Sequence, residues 1–214
     1  MDKSLYADDE LTAEDRSILP GEGFFVPEEH RERRREEEFE EDVAGDDTVM
    51  LVDGDADGLA AVALGKHIFD DLGWTTGSPN HLADAFERLA EYVDEGATVY
   101  VVDLCPDADV PLDEFKTVVE RSEEVHWYDH HEWDEGVRET VEGMGVDVVV
   151  GESDEVCSAD VALQEFEKDG HDFDDVAREL VEVTRDHDLW IREDPRSDDL
   201  ADLSVYLSAE EYVE

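Results

Sequence analysis

Short apolar runs alternate with amphipathic segments from residue 48 almost to the end of the chain. Four continuous apolar runs predict buried strands at residues 48–53, 98–103, 124–129 and 146–151. Apolar residues at helical spacing predict helices at residues 59–73, 81–96, 112–121, 158–170 and 173–190. Strands that alternate with helices predict an α/β fold, with a mostly parallel, Rossmann-like sheet covered by helices on both faces.

The first 45 residues are more polar and predict an acidic N-terminal extension with a turn at Pro20 and Gly21. Residues 30–42 alternate blocks of Arg and Glu, which favours a solvated helix with Glu–Arg pairs. A nucleic-acid patch formed by Arg31 and residues 33–35 is the alternative, but three glutamates follow at once. We therefore predict an extension over residues 1–45, a main domain over 46–194 and a linker helix over 195–214.

The charge balance is extreme, with 65 Asp and Glu residues against 16 Lys and Arg and a formal net charge of −49. A 40% apolar content still provides a core, so the chain is not a wholly disordered acidic protein. A very acidic, lysine-poor surface is tolerable in molar salt, where the Debye length falls to about 3 Å. We interpret the chain as halophilic; an acidic interaction protein is the alternative.

The remaining composition indicates a soluble cytoplasmic protein without a membrane partner. Two cysteines, Cys105 and Cys157, do not make a disulfide framework in a chain of 214 residues. No apolar stretch approaches the roughly 20 residues that span a bilayer. The acidic N-terminus has no apolar segment of the kind that a secretory signal needs.

Acidic residues and histidines follow three of the predicted strands. Asp53, Asp55 and Asp57 end the first, Asp103 ends the second, and the run Asp129-His130-His131 ends the third. Because the carboxyl ends of parallel strands lie along one edge of a sheet, these groups are expected to converge there. Carboxylates crowded together need protons or cations, and imidazole beside carboxylate favours a transition metal over calcium. A calcium loop after Asp53 is disfavoured, because Leu64 stands where its glutamate would be.

These residues resemble the motifs of the DHH phosphoesterases, a family that includes RecJ-like exonucleases, nanoRNases, cyclic-dinucleotide phosphodiesterases and family II pyrophosphatases. The resemblance covers about residues 48–190. VDGDADGLAA resembles the first motif, VVDLCPD the second and Asp129-His130-His131 the third. CSADVALQEF resembles the Ser-Ala helix start of the family, and TRDHDLW resembles the fourth motif.

The resemblance implies a site for two divalent cations, manganese or else magnesium. Asp103 would bridge them, Asp55 and Asp57 would lie on opposite sides, and His130 would be a ligand. Asp186 would complete the ligand set of the second cation, with Asp188 as the alternate, and Asp53 would stand in for a histidine of other members. His131 would face the substrate phosphate, while Asp129 would orient a histidine.

The implied activity is hydrolysis of phosphodiester bonds by a water activated between the two cations. The substrate would be single-stranded nucleic acid or a short oligonucleotide, as for a RecJ-like exonuclease or a nanoRNase. A cyclic dinucleotide or another small phosphoester is one alternative. A non-catalytic accessory subunit of a replication or repair complex is the other. Residues 191–214 contain nothing like the second domain of the family. The expectation is either a truncated product or a stand-alone catalytic domain whose substrate-binding side a protein partner supplies.

Several other residues near the motifs have two interpretations. Arg185 is the predicted contact to substrate phosphate, although Arg138 and Lys66 could serve as well. Ser158 is interpreted as a helix cap and both cysteines as small buried residues, rather than as nucleophiles. Core packing is favoured over base stacking for three tryptophans that flank the motifs, namely Trp127, Trp133 and Trp190.

The net charge of −49 predicts that salt stabilises the fold. Raising KCl from 0.1 to 2 M should raise the midpoint of thermal unfolding by roughly 10 °C or more, since each kcal/mol shifts it by about 2–4 °C in a chain of this size. Circular dichroism measures the shift. Sucrose of equal osmolality should give a smaller rise, because it strengthens burial without screening charge. Equal effects of sucrose and KCl would contradict the interpretation.

Overall fold

The computed structural model describes residues 17–18, 24–25 and 28–213, with side chains from residue 32 onward. The chain divides into two units, residues 1–41 and 42–214. In the first unit, β1 (Ser17–Ile18) pairs antiparallel with β2 (Phe24–Phe25). The predicted turn at Pro20 and Gly21 and the Arg31 side chain lie outside the described residues.

The predicted charged helix over residues 30–42 is confirmed as α1 (Glu28–Val43). Its side chains form ion pairs one helical turn apart, with Arg33 Nε 3.7 Å from Glu37 and Arg34 Nε 2.7 Å from Glu38. All four side chains are more than half exposed. Such exposed pairs stabilise a helix by only about 0.3–0.5 kcal/mol each.

The second unit is built on an all-parallel sheet of five strands. They are β3 (Thr48–Asp53), β4 (Leu72–Gly77), β5 (Thr98–Val102), β6 (Glu124–Asp129) and β7 (Asp147–Val150). The strand order is β4-β3-β5-β6-β7, and every neighbouring pair is parallel. The prediction of a Rossmann-like α/β fold is confirmed. The direction of winding reverses between β3 and β5, and ligands of such sheets bind at the carboxyl ends of the strands at this point.

Strand β4 was not predicted from the sequence. The prediction of a helix over residues 59–73 is wrong at its end, because α2 (Ala56–Ile68) stops early and the chain enters β4 at Leu72. Trp74, Thr75 and Thr76 favour a strand, but glycines on both sides make the run look like a turn. Pairing with β3 along its whole length decides the conformation.

Helices cover both faces of the sheet. They are α2, α3 (Leu82–Tyr92), α4 (Asp113–Arg121), α5 (Glu135–Gly143), α6 (Ser158–Lys168), α7 (Asp175–Asp188), α8 (Ser197–Tyr206) and α9 (Ala209–Val213). On one face, Tyr100 and Tyr128 pack into a core cluster with Phe166 of α6. On the other, Trp127 packs edge-on against Phe86 and Phe115. Neighbouring residues 127 and 128 point to opposite faces, as strand geometry requires.

Two helical regions differ from the sequence prediction. Helix α5 was not predicted, although Asp134 caps it by accepting bonds from the backbone N–H groups of Gly136 and Val137 at 2.9 and 3.1 Å. The predicted linker helix consists of α8 and α9, which both contact α2, while α8 also contacts α7. None of the described helices is both long enough and apolar enough to cross a bilayer.

The chain enters α2 through a close approach that only glycine permits. A Cβ on Gly58 would lie 2.8 Å from the backbone nitrogen of Asp53 and closer still to its carbonyl oxygen. Backbone cannot move aside as a flexible side chain does, so β3 and the start of α2 would have to separate. Gly58 therefore sets how closely the acidic turn packs against β3.

We expect Gly58→Ala to lower the free energy of unfolding by about 1–3 kcal/mol, because overpacking at a rigid contact costs that much. Urea denaturation in 2 M KCl measures it. The matched control is Gly143→Ala at the end of α5, where an added Cβ meets nothing within 4 Å. That variant should be neutral or more stable by up to about 1 kcal/mol. Equal effects at the two positions would refute the packing argument.

Candidate metal centre

The predicted convergence of acidic residues occurs at the carboxyl ends of β3, β5 and β6. Asp53 ends β3, and Asp55 caps α2 by accepting bonds from the backbone N–H groups of Asp57 and Gly58 at 2.9 and 3.3 Å. Asp103 follows β5 with a φ of 61°, a conformation that non-glycine residues adopt only at a cost in free energy. Asp53 and Asp55 stay solvent-accessible, whereas Asp57 and Asp103 are only 2% and 3% exposed.

The N-terminus of α6 holds the two buried carboxylates. The backbone N–H groups of Ser158 and Ala159 donate to the two carboxylate oxygens of Asp57 at 2.7 and 2.9 Å. The hydroxyl of Ser158 donates to Asp103 at 2.9 Å. Cys157, not Ser158, is the N-cap of α6, so the prediction that Ser158 caps the helix is wrong. Ser158 instead links the two acids, a role that only the tertiary contact reveals.

These hydrogen bonds do not keep the two acids at their ordinary acidity. Burial, reinforced by the charge of Asp188, raises the pKa of Asp57 to about 7 despite the two backbone donors. Burial and the charges of Asp57 and Asp55 raise the pKa of Asp103 well above its usual range. A bound cation would replace the protons that these carboxylates otherwise retain.

The three side chains of the Asp129-His130-His131 run have different contacts. Asp129 is fully buried and accepts bonds from the His130 and His131 backbone N–H groups at 2.7 and 3.1 Å. It also lies 2.7 Å from both His131 Nδ1 and the indole nitrogen of Trp133. The hydrogen bond to Asp129, with its charge, raises the pKa of His131 even though burial opposes protonation. Asp129 thus orients His131, as the resemblance implied.

His130 lies between the acids. Its Nε2 is 3.4 Å from Asp188 and 3.9 Å from Asp103, and its side chain is 8% exposed. Burial lowers the pKa of His130, although the charge of Asp188 works against that shift. A neutral imidazole among carboxylates has the protonation state that a metal ligand needs.

Among the residues that the structure describes, two groups of three side chains could hold a metal ion, with their ligand atoms within 4.8 Å of one another. One is Asp103, His130 and His131; the other is Asp57, His130 and Asp188. His130 is common to both. Its two ring nitrogens and the Asp188 Oδ2 are buried without a hydrogen bond of normal geometry to a described residue. Since buried polar atoms are almost always satisfied, orphans in facing positions fit a cation between them.

Asp186, predicted as a ligand in preference to Asp188, belongs to neither of these two groups, although its Oδ2 is also buried without a described partner. Asp186 Oδ1 accepts bonds from the backbone N–H groups of Glu193 and Asp194 at 2.9 and 3.1 Å. A bond from the Ser197 side chain and these backbone bonds hold its pKa below the usual range. Residues two positions apart on a helix differ by about 200° in direction, so only one of the pair can face the site.

Other predicted residues have structural partners. Arg185 donates to Asp160 at 2.6 Å, Arg138 donates to Glu142 at 2.8 Å, and Lys66 lies 5.8 Å from the ring centre of Trp74. Burial raises the pKa of both Cys105, to about 12, and Cys157, so neither is a thiolate near neutral pH. Core packing is confirmed for Trp127, which is buried, but it is wrong for Trp190, whose surface is 77% exposed.

Two cavities border the site. One, of about 240 Å³, is lined by Asp55, Asp57, Thr184, His187 and Asp188 together with residues of α8. The other is a cleft of about 730 Å³, whose lining includes His130, His131 and Trp133. Tyr212 of α9 has a buried hydroxyl without a described partner, and burial with the charges of Asp55 and Asp57 raises its pKa to about 12. Thr184 and His187 lie within the segment that resembles the fourth motif but were not singled out as site residues, and the sequence carried no signal for Tyr212.

Comparison with known proteins supports the fold alone. No protein-family model matches the chain, and no curated protein matches it. A crystal structure of an uncharacterized protein from Helicobacter pylori G27 is similar, with a TM-score of 0.59 and 13% sequence identity. The similarity covers 78% of this chain and 54% of that protein, so the chain spans about half the length of its structural relative.

The raised pKa of Asp57 predicts a pH-dependent stability in the absence of divalent metal. A group whose folded-state pKa lies above its unfolded value stabilises the fold at low pH and loses that contribution as pH rises. For Asp57 the window runs from about 4 to about 7. Between pH 5 and 8 the loss should be on the order of 2–3 kcal/mol, by urea denaturation with a chelator present.

Asp57→Asn should remove this part of the slope, because an amide does not titrate. The control is Asp107→Asn, at an exposed residue, which should keep the full slope of the parent chain. A divalent cation should stabilise the parent more at pH 8 than at pH 5, since it competes with protons for the same oxygens. Identical slopes for the parent and Asp57→Asn would contradict the proposed burial of this charge.

Proposed function

We propose that this protein is a metal-dependent phosphodiester hydrolase of the DHH type, acting on single-stranded nucleic acid or short oligonucleotides. The observation that carries the proposal is the set of orphaned buried atoms of His130 and Asp188, facing each other beside Asp57 and Asp103. This cluster lies where the winding of the sheet reverses, the usual ligand site of an open α/β sheet. Its residues belong to the motifs that resemble that family.

The donor set fits two divalent cations, with manganese favoured. Carboxylates suit magnesium and manganese, whereas imidazole beside them shifts the preference towards manganese. Asp57, His130 and Asp188 would hold one cation and Asp103 would contribute to the other, while His131 would face the substrate. Asp53 and Asp55, at the accessible rim, are available to either. When bound, the cations would activate a water and neutralise charge on the phosphoryl oxygens.

The protein's own groups would position the substrate and its protons. Asp129 fixes His131 through Nδ1, so the remaining ring nitrogen is available to donate to a phosphoryl oxygen. The raised pKa of His131, caused first by the bond to Asp129, keeps that proton in place near neutral pH. Hydrogen bonds from Ser158, at the start of α6, would keep Asp57 and Asp103 in position while the charge on the phosphoryl group changes during the reaction. No side-chain nucleophile is required.

The acidic composition does not oppose a nucleic-acid substrate under the conditions that we infer for this protein. A net charge of −49 repels a polyanion in dilute buffer, but molar salt screens that repulsion beyond about 3 Å. Affinity must then come from cations at the site and from short-range contacts. Activity is accordingly expected at high salt, where most nucleic-acid-binding proteins lose affinity.

The test uses labelled oligonucleotides, dinucleotides and cyclic dinucleotides with MnCl2 in 2 M KCl. We expect manganese-dependent cleavage of oligonucleotides, abolished by EDTA and lowered at least about 10³-fold in Asp103→Asn, since removing a charge that organises the metal site costs several kcal/mol of transition-state stabilisation. The product ladder separates an exonuclease from an enzyme for short oligonucleotides. Cleavage of cyclic dinucleotides alone would favour the small-phosphoester alternative.

Two acids on α7 provide the matched comparison. Asp188→Asn should weaken manganese binding about 10-fold to 100-fold by calorimetry, because it removes a charged oxygen from the cluster. Asp186→Asn keeps an oxygen that can accept the bonds from Glu193 and Asp194, and should bind manganese as the parent does. Manganese binding without turnover of any substrate would reject the hydrolase in favour of the accessory subunit.

A further inference from the structure

The turn that follows α7 is held in an unusual backbone conformation. Trp190 and Arg192 have φ values of 56° and 58°, in the left-handed region. Each such conformation costs roughly 1 kcal/mol or more for a residue that is not glycine. Two of them within three residues, directly after Asp188 of the candidate metal centre, suggest that the direction of these side chains serves a purpose.

Asp186 holds this turn in place. Its backbone carbonyl accepts bonds from the N–H groups of Ile191 and Arg192 at 3.0 and 3.2 Å. Its carboxylate accepts from the next two residues, as described above. A single buried residue therefore satisfies four successive backbone donors. These four hydrogen bonds explain why an acidic residue stands at position 186, outside the groups of the candidate metal centre.

The same turn exposes the ring of Trp190 to solvent, while neighbouring side chains contact the ring and limit its movement. Trp190 is 77% exposed, and the guanidinium carbon of Arg192 lies 4.5 Å from its ring centre. Arg192 donates to His187 Nδ1 at 2.9 Å and forms an ion pair with Asp198 of α8. The His187 ring is stacked towards Trp190, with centres 6.5 Å apart and planes 24° apart. Trp190 is thus a fixed platform rather than a loose surface side chain.

His187 connects this platform to the candidate metal centre. His187, which contacts Trp190, also lines the 240 Å³ cavity together with Asp57 and Asp188. We propose that Trp190 is a stacking site for a nucleobase of the substrate whose phosphodiester lies at the metal centre. The inference rests on the proposed function and deepens it, because it makes the base, as well as the phosphate, part of what the site recognises.

A nucleobase suits this platform better than a protein partner does. Stacking of one base on an aromatic side chain contributes about 1–3 kcal/mol and involves no net charge. Molar salt, which weakens contacts between cationic side chains and phosphate, leaves stacking in place. Two arginines of this region, Arg185 and Arg192, are already paired with Asp160 and Asp198. Stacking is therefore the short-range contact that this acidic surface can offer to a nucleotide.

The test compares a dinucleotide with an abasic dinucleotide of the same backbone, in MnCl2 and 2 M KCl. We expect Trp190→Ala to raise KM for the dinucleotide about tenfold or more, because 1.4 kcal/mol corresponds to a factor of ten. KM for the abasic analogue should not change, and Trp190→Phe should stay within a few-fold of the parent. Tyr206→Ala, at an 82% exposed aromatic residue of α8, is the matched control and should leave both substrates unaffected.

Calorimetry with adenosine monophosphate and ribose 5-phosphate separates failure of the inference from failure of the proposed function. Suppose that no substrate is cleaved, but that adenosine monophosphate binds more tightly than ribose 5-phosphate and this difference is lost in Trp190→Ala. That result supports the platform and rejects only the hydrolase. Cleavage with equal losses for base-containing and abasic substrates in Trp190→Ala would overturn the platform. A change of oligomeric state in Trp190→Ala with nucleotide affinity intact would overturn it in favour of a protein contact.

Discussion

Two carboxylates, those of Asp57 and Asp103, are buried at the carboxyl end of the sheet and joined through Ser158. Burying even one uncompensated carboxylate is costly, and two together repel each other. The N-terminus of α6 offsets part of this cost, because its backbone N–H groups and its partial positive charge face Asp57. The charge that remains uncompensated makes this a group of side chains that could hold a cation. The packing of α6 and the tight entry into α2 both follow from this arrangement.

The acidic surface and the acidic site obey different physics. Surface charges are screened within a few ångströms in molar salt, so their repulsion fades. The charges of Asp57 and Asp103 are shielded from solvent, so added monovalent salt does little for them. Only a proton or a closely bound cation neutralises them. High salt and a divalent cation would therefore act on separate parts of the same molecule.

The end of α7 shows how two similar acids acquire different roles. Asp188 lies beside His130 in the candidate metal centre, while Asp186 organises the turn that carries Trp190. The pKa of Asp188 is raised by burial, whereas that of Asp186 is lowered by hydrogen bonds. Rotation about the helix axis separates them, so one helix end serves both the candidate centre and the surface beside it.

Sequence alone determined the α/β class, four of the five parallel strands and the convergence of Asp57, Asp103 and His130, because strand ends of a parallel sheet must meet at one edge. It could not determine that residues 72–77 form a strand, since that segment is shaped by pairing with β3. Nor could it choose between Asp186 and Asp188 or reveal Ser158 as the link between two acids. These depend on helix rotation and on contacts between residues up to about a hundred positions apart, which no local pattern encodes.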